Sequence, residues 1–121
     1  MDPGKLSQIA KNWIKAFNDH DLDAVLALYS DEVTHFSPKL KARHPETRGF
    51  ITGKAALQEW WADAFQRLPS LQYRLISVTS EGTRVVIEYK RTVEGKDPMM
   101  VAEFFEIGTD GLIVSSRVYH G

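Results

Sequence analysis

The sequence predicts a single α+β domain, and three observations carry that reading. Two amphipathic stripes at helical spacing come first, over residues 6–17 and 22–29. A third stripe, residues 54–68, follows one short strand. Four alternating or apolar segments separated by turn residues then fill residues 71–119. Helices early and a meander late define α+β, whereas a parallel α/β protein interleaves the two throughout. The expected order is α-α-β-α-β-β-β-β in one domain over residues 1–121, a length that supports one core and not two.

Composition narrows the function classes. Fifteen Lys and Arg against sixteen Asp and Glu leave a formal charge of −1, with no electrostatic footprint for nucleic acid or an anionic membrane. The absence of cysteine excludes disulfides, thiolate metal sites and cysteine nucleophiles. His20, His35, His44 and His120 show no short paired spacing, so neither a metal nor another cofactor is expected. No apolar run reaches ten residues, too short to span a bilayer. Residues 1–5 lack the apolar core of a signal peptide, so the expected location is cytoplasmic.

In the first helix Leu6, Ile9, Ala10, Trp13, Ile14 and Phe17 form one stripe, with Gln8, Lys11, Asn12 and Lys15 on the wet side. Asp21 caps a second helix running to about Tyr29. Residues 32–37 alternate β-branched or aromatic with polar side chains and stop at Pro38, which makes a short strand. Residues 39–49 are basic and nearly free of apolar anchors, and are expected as an exposed loop, either a lid or a slack connection. The third helix presents Leu57, Trp60, Trp61, Ala64, Phe65 and Leu68, and Pro69 ends it. Strands over 71–79 and 84–93 flank a turn at 80–83; a turn at 95–98 leads to 99–107, and one at 108–111 to 112–119.

Taken together, Trp13 to Val25, Leu28 to Val33, Pro38 after the first strand, Gly53-Lys54-Ala55-Ala56-Leu57 and the closing meander resemble the nuclear-transport-factor-2-like superfamily, in its SnoaL-like and ketosteroid-isomerase-like branch. The resemblance covers nearly the whole chain. It implies a cone: a curved, mixed or antiparallel sheet of the cystatin-like kind wrapped round a long helix, enclosing an apolar pocket. It also implies a homodimer joined through the outer face of the sheet. Steroid isomerases of this superfamily place a general-base Asp just before the proline, where this chain has Ser37. They place an oxyanion-binding Tyr on the first helix, where this chain has Trp13. Their neutral carboxylic acid on a late strand matches Glu103. The related epoxide hydrolases carry an Arg two residues before an Asp, where this chain has Val101 and Glu103. Steroid isomerisation proper is therefore not expected.

Glu103 is the residue that demands explanation, because it interrupts the apolar stretch Met99-Met100-Val101-Ala102-Glu103-Phe104-Phe105-Glu106-Ile107. A buried carboxylate costs several kcal/mol by order of magnitude unless paired or neutralised. Alternation turns it inward with Val101, Phe105 and Ile107. Either it is a functional carboxyl, or it is ion-paired with Arg91, which shares a face with Val85, Ile87 and Tyr89. His35 shares its strand face with Val33 and Ser37. It is either an acid–base group or a hydrogen-bonded core histidine. Pairing Ile107 with Leu112 would set Glu103 opposite Ser116.

Two functions follow. The first is a cofactor-independent isomerase, dehydratase or cyclase acting on a small apolar cyclic or carbonyl compound. In it His35 moves the proton, Glu103 is a neutral donor or second base, and Trp13, Ser37, Trp60, Phe65, Tyr89, Arg91 and Ser116 hold the substrate. The alternative is a non-catalytic ligand-binding or assembly module of the same fold.

Overall fold

The computed structural model describes residues 2–121. Helix α1 (Pro3–Asn18) begins where Asp2 accepts a hydrogen bond from the Gly4 amide at 3.1 Å and Pro3 occupies the first turn. These features suit a helix start, since proline has no amide to leave unpaired there. Helix α2 (Leu22–Leu26) is capped by Asp21 and is shorter than expected. Tyr29, expected as its last inward residue, instead opens strand β1 (Tyr29–Phe36) and is fully buried.

The basic segment after Pro38 is not a loop. It forms helix α3 (Pro38–Arg43) and a 3₁₀ turn, Pro45–Thr47. Ser37 is extended, as the residue before a proline should be, and Pro38 starts the helix. Leu40 is its buried anchor. A single anchor leaves no periodicity to read. Phe50–Thr52 is likewise a strand, β2, paired antiparallel with β1. Gly49 turns the chain between these elements at φ +90°. A Cβ there would stand 2.5 Å from Phe36 Cε2, so only glycine fits.

Helix α4 (Lys54–Arg67) buries Leu57 and Trp61, while Trp60, Ala64 and Phe65 are half-buried. Strands β3 (Gln72–Glu81), β4 (Arg84–Thr92), β5 (Met99–Ile107) and β6 (Ile113–His120) complete one six-stranded sheet. Its order is β2-β1-β6-β5-β4-β3, with β1 and β6 parallel and every other pair antiparallel. The sheet curls without closing. Helix α1 packs against β3 and β4, and α4 against β1 and β2, so the concave face is roofed by helices. This is the mixed α+β cone that the resemblance implies.

The last hairpin differs in register from the expectation. Ile107 pairs with Ile113, and a bulge after Glu106 adds a further residue, so Glu103 lies opposite Val118 and Ser116 opposite Phe105. The total slip is two residues, which restores parity. Ser116 and Val118 therefore still face inward, and Arg117 and Tyr119 outward.

Candidate active site

Alternation along β4 and β5 sends Val85, Ile87, Tyr89 and Arg91, and Val101, Glu103, Phe105 and Ile107, to the concave face, where all eight are buried. Glu103 is 2% exposed. Its Oε1 accepts a hydrogen bond from the Tyr89 hydroxyl at 3.0 Å, and its Oε2 has no partner among the described residues. Burial drives the carboxyl up to about 8, and the Tyr89 hydrogen bond opposes this only in part. At neutral pH Glu103 is a carboxylic acid with a proton to donate.

The ion pair with Arg91 is not made. Glu103 lies opposite Ile87 and Arg91 opposite Met99. Four residues of strand, roughly 13 Å at 3.3 Å per residue, separate the two positions. Shared face does not mean shared height.

His35 comes from β1 and Ser116 from β6, which face each other in the parallel register. The His35 Nδ1 and Ser116 Oγ are 2.6 Å apart. Trp13 Nε1 donates to the Tyr29 hydroxyl at 2.8 Å, and that hydroxyl also borders Ser116. Indole can only donate, so the Tyr29 hydroxyl accepts from it. With Ser116 assigned as the donor to Nδ1, the proton of the neutral imidazole sits on Nε2. Burial holds His35 down at about 4, so the ring is neutral.

These groups border one small cavity of about 60 Å³, lined by His35, Glu103, Trp13, Ser37, Tyr89 and Arg91 among others. Ser116, expected to hold substrate, does not line this cavity and meets it only through its contact with His35. Trp60 lines a wider outer basin of about 370 Å³, which shares Lys39, Tyr73 and Arg91 with the inner cavity. Phe65 borders neither space; it stacks on His20 and meets Phe17 edge-on. The inner lining also includes Tyr73 and Lys39, which the sequence reading does not single out, and Trp61, which it places only on the apolar stripe of the third helix. Tyr73 alternates inward with Leu71 and Leu75, ahead of a bulge in β3 between Leu75 and Ser77. Counted from the β3–β4 turn, the inserted residue shifts the register of every pair beyond it by one, and so sets Tyr73 opposite Arg91. Lys39 is hidden because α3 is invisible in the periodicity. Among the described residues no three His, Asp or Glu side chains gather as a metal site, and no helix is long and apolar enough to cross a membrane.

The profile of the SnoaL-like domain matches residues 10–116. The chain belongs to the SnoaL-like family. A SnoaL-like protein of unknown function from Burkholderia thailandensis E264 has a similar structure, with 28% identity and a TM-score of 0.91, over 99% of this chain and 97% of that one. A candidate ketosteroid isomerase from Kribbella flavida shares the fold at 18% identity and a TM-score of 0.78, covering 98% of this chain and 78% of that one. So does a candidate polyketide cyclase from Sinorhizobium meliloti, at 18% identity and a TM-score of 0.79 over 98% and 100%. No curated protein matches this chain.

In this SnoaL-like domain, then, two neutral groups of opposite shift border one cavity. A carboxyl whose titration lies near 8 is well matched to giving up and regaining a proton around neutrality. An imidazole held near 4 is a weak base but a good fixed donor or acceptor. Ser37 and Trp13 leave no further carboxylate or phenol at the positions where the resemblance would look for them.

Proposed function

We propose that this SnoaL-like protein is a pocket enzyme of the isomerase, dehydratase or cyclase kind, acting by acid–base chemistry on a small carbonyl compound. The observation that carries the reading is the unpartnered, buried Oε2 of Glu103 in a cavity that His35 also borders. A buried polar atom with no partner costs about 1–3 kcal/mol, a cost that a bound ligand would relieve. The expected roles are exchanged relative to the sequence reading. The ionised fraction of Glu103, about a tenth at pH 7 for a group titrating near 8, takes the proton next to the carbonyl and the resulting acid returns it. His35, held by Ser116, polarises the carbonyl through Nε2. The inner cavity admits only the reacting end of a molecule, and the remainder occupies the outer basin. A second copy of the chain covers the outer sheet face, where Phe104, Tyr119, Phe50 and Met100 are exposed.

The test is solvent-deuterium incorporation next to the carbonyl of a panel of small cyclic and aryl ketones, followed by NMR. Wild type is expected to catalyse exchange into at least one ketone, and Glu103→Gln, which keeps the shape, to lose about a hundredfold or more. A Gln variant that exchanges at the wild-type rate would remove Glu103 from the role.

A second reading, a non-catalytic binding module, is favoured by the size of the inner cavity, far below the roughly 300–1,000 Å³ of ordinary ligand pockets. Binding without exchange on any ketone of the panel would select it.

A further inference from the structure

The outer basin has a charge that the chain as a whole does not. Lys39, Arg43, Arg67, Arg91 and Lys96 all line it, and no Asp or Glu does, although the chain carries a formal charge of −1. Five cations from four separate parts of the fold converge there: α3, the end of α4, the end of β4 and the turn after it. Asp63 takes up two of them, lying 2.7 Å from Arg67 and 3.7 Å from Arg43. Among the described residues, no carboxylate lies within 4.0 Å of Lys39, Arg91 or Lys96.

Arg91 is the telling member. It is 8% exposed, it borders both the basin and the inner cavity, and its neighbour across the strand pair is Tyr73, a neutral phenol. The body of Arg91 is buried while its guanidinium nitrogens stay accessible to the space they border, and they present donors in the planar fork that suits a carboxylate. The lysine above it feels the crowding: burial lowers Lys39, and Arg91, Lys96, Arg67 and Arg43 lower it further. Trp60, Leu68 and Leu71 supply an apolar wall beside the charges.

We propose that the ligand of this site is a small organic acid, whose carboxylate is held at the neck by Arg91 and Lys39 while its uncharged end enters the cavity of Glu103 and His35. This rests on the catalytic reading only for what happens at the inner end. The anion site stands on Arg91 and the basin alone. It changes the expected ligand from a wholly apolar molecule to an amphipathic anion.

The experiment is calorimetric binding of phenylacetate and 4-oxocyclohexanecarboxylate, beside their methyl esters and inorganic phosphate, to wild type, Arg91→Gln, Lys39→Gln and Glu103→Gln. At least one acid is expected to bind about tenfold or more tightly than its ester, an advantage typical of a lost charge-assisted hydrogen bond. That advantage should fall about tenfold in Arg91→Gln, fall less in Lys39→Gln, weaken with added salt, and persist in Glu103→Gln. If Arg91→Gln fails to fold, the Lys39→Gln,Lys96→Gln double variant takes its place with the same expectation. Equal affinity for acid and ester, no binding of either acid, or phosphate binding more tightly than both would overturn the proposal. Arg91-dependent acid binding with no ketone exchange would leave this inference standing and remove the catalytic one. Exchange without preference for charge would do the reverse.

Discussion

The Tyr89 hydroxyl reaches Glu103 Oε1 at 3.0 Å and leaves Oε2 alone. One hydrogen bond is too few to hold a buried carboxylate ionised, and the protonated state at neutrality follows from that shortfall. Stability should therefore depend on pH in a defined direction. Between about 4.5 and about 8 the folded chain holds a proton at Glu103 that the unfolded chain has released. The contribution is fully present below 4.5 and is lost as pH rises through 8, reaching on the order of 3 kcal/mol of lost stability by pH 7. Glu103→Gln should flatten that decline, with the gap to wild type widening from pH 5 to pH 8.5 in urea titrations. Parallel slopes for the two proteins would contradict it.

His35 runs the other way. Its folded value near 4 lies below the ordinary 6.5, so the unfolded chain binds a proton first and stability falls as pH drops from 6.5 towards 4. Nitrogen-15 NMR of the imidazole should show a neutral ring protonated at Nε2 from pH 5 to pH 8. Ser116→Ala should free Nδ1, mix the tautomers and cost about 1–3 kcal/mol. A ring titrating near 6.5 would sink the assignment.

Gly49 should resist replacement. With φ at +90° and Phe36 Cε2 in the space of a Cβ, Gly49→Ala is expected to cost about 1–3 kcal/mol by thermal unfolding. Gly82, at φ +62° with open space around it, should cost less. Equal losses at the two glycines would mean that the contact with Phe36 contributes nothing.

On the outer face, Phe104 meets Tyr119 edge-on at 5.5 Å, and Arg117 lies 4.1 Å over the Phe36 ring. If a second copy covers this face, Phe104→Glu should shift sedimentation from dimer to monomer at micromolar concentration without lowering the melting temperature of the monomer. A wild-type chain that sediments as a monomer throughout would end that proposal.

Much of the fold is legible because its signals are periodic. The stripe of α1, the alternation of β4 and β5 and the inward turn of Glu103 all follow from spacing. What escapes is whatever a bulge or a single anchor controls. The extra residue in β3 hides that Tyr73 stands opposite Arg91, and the lone Leu40 hides α3 and with it Lys39. Parity placed Glu103 and Arg91 on one face correctly, yet only the register between strands shows that they stand too far apart to pair.

The parallel join of β1 and β6 bears on synthesis as well as on chemistry. His35 and Ser116 are 81 residues apart in the chain. The β2 partner of β1 follows a short way down the chain, whereas its other edge waits for the distant β6. Until β6 is made, a folding chain would therefore carry an unpaired edge on β1, which a chaperone would be expected to shield.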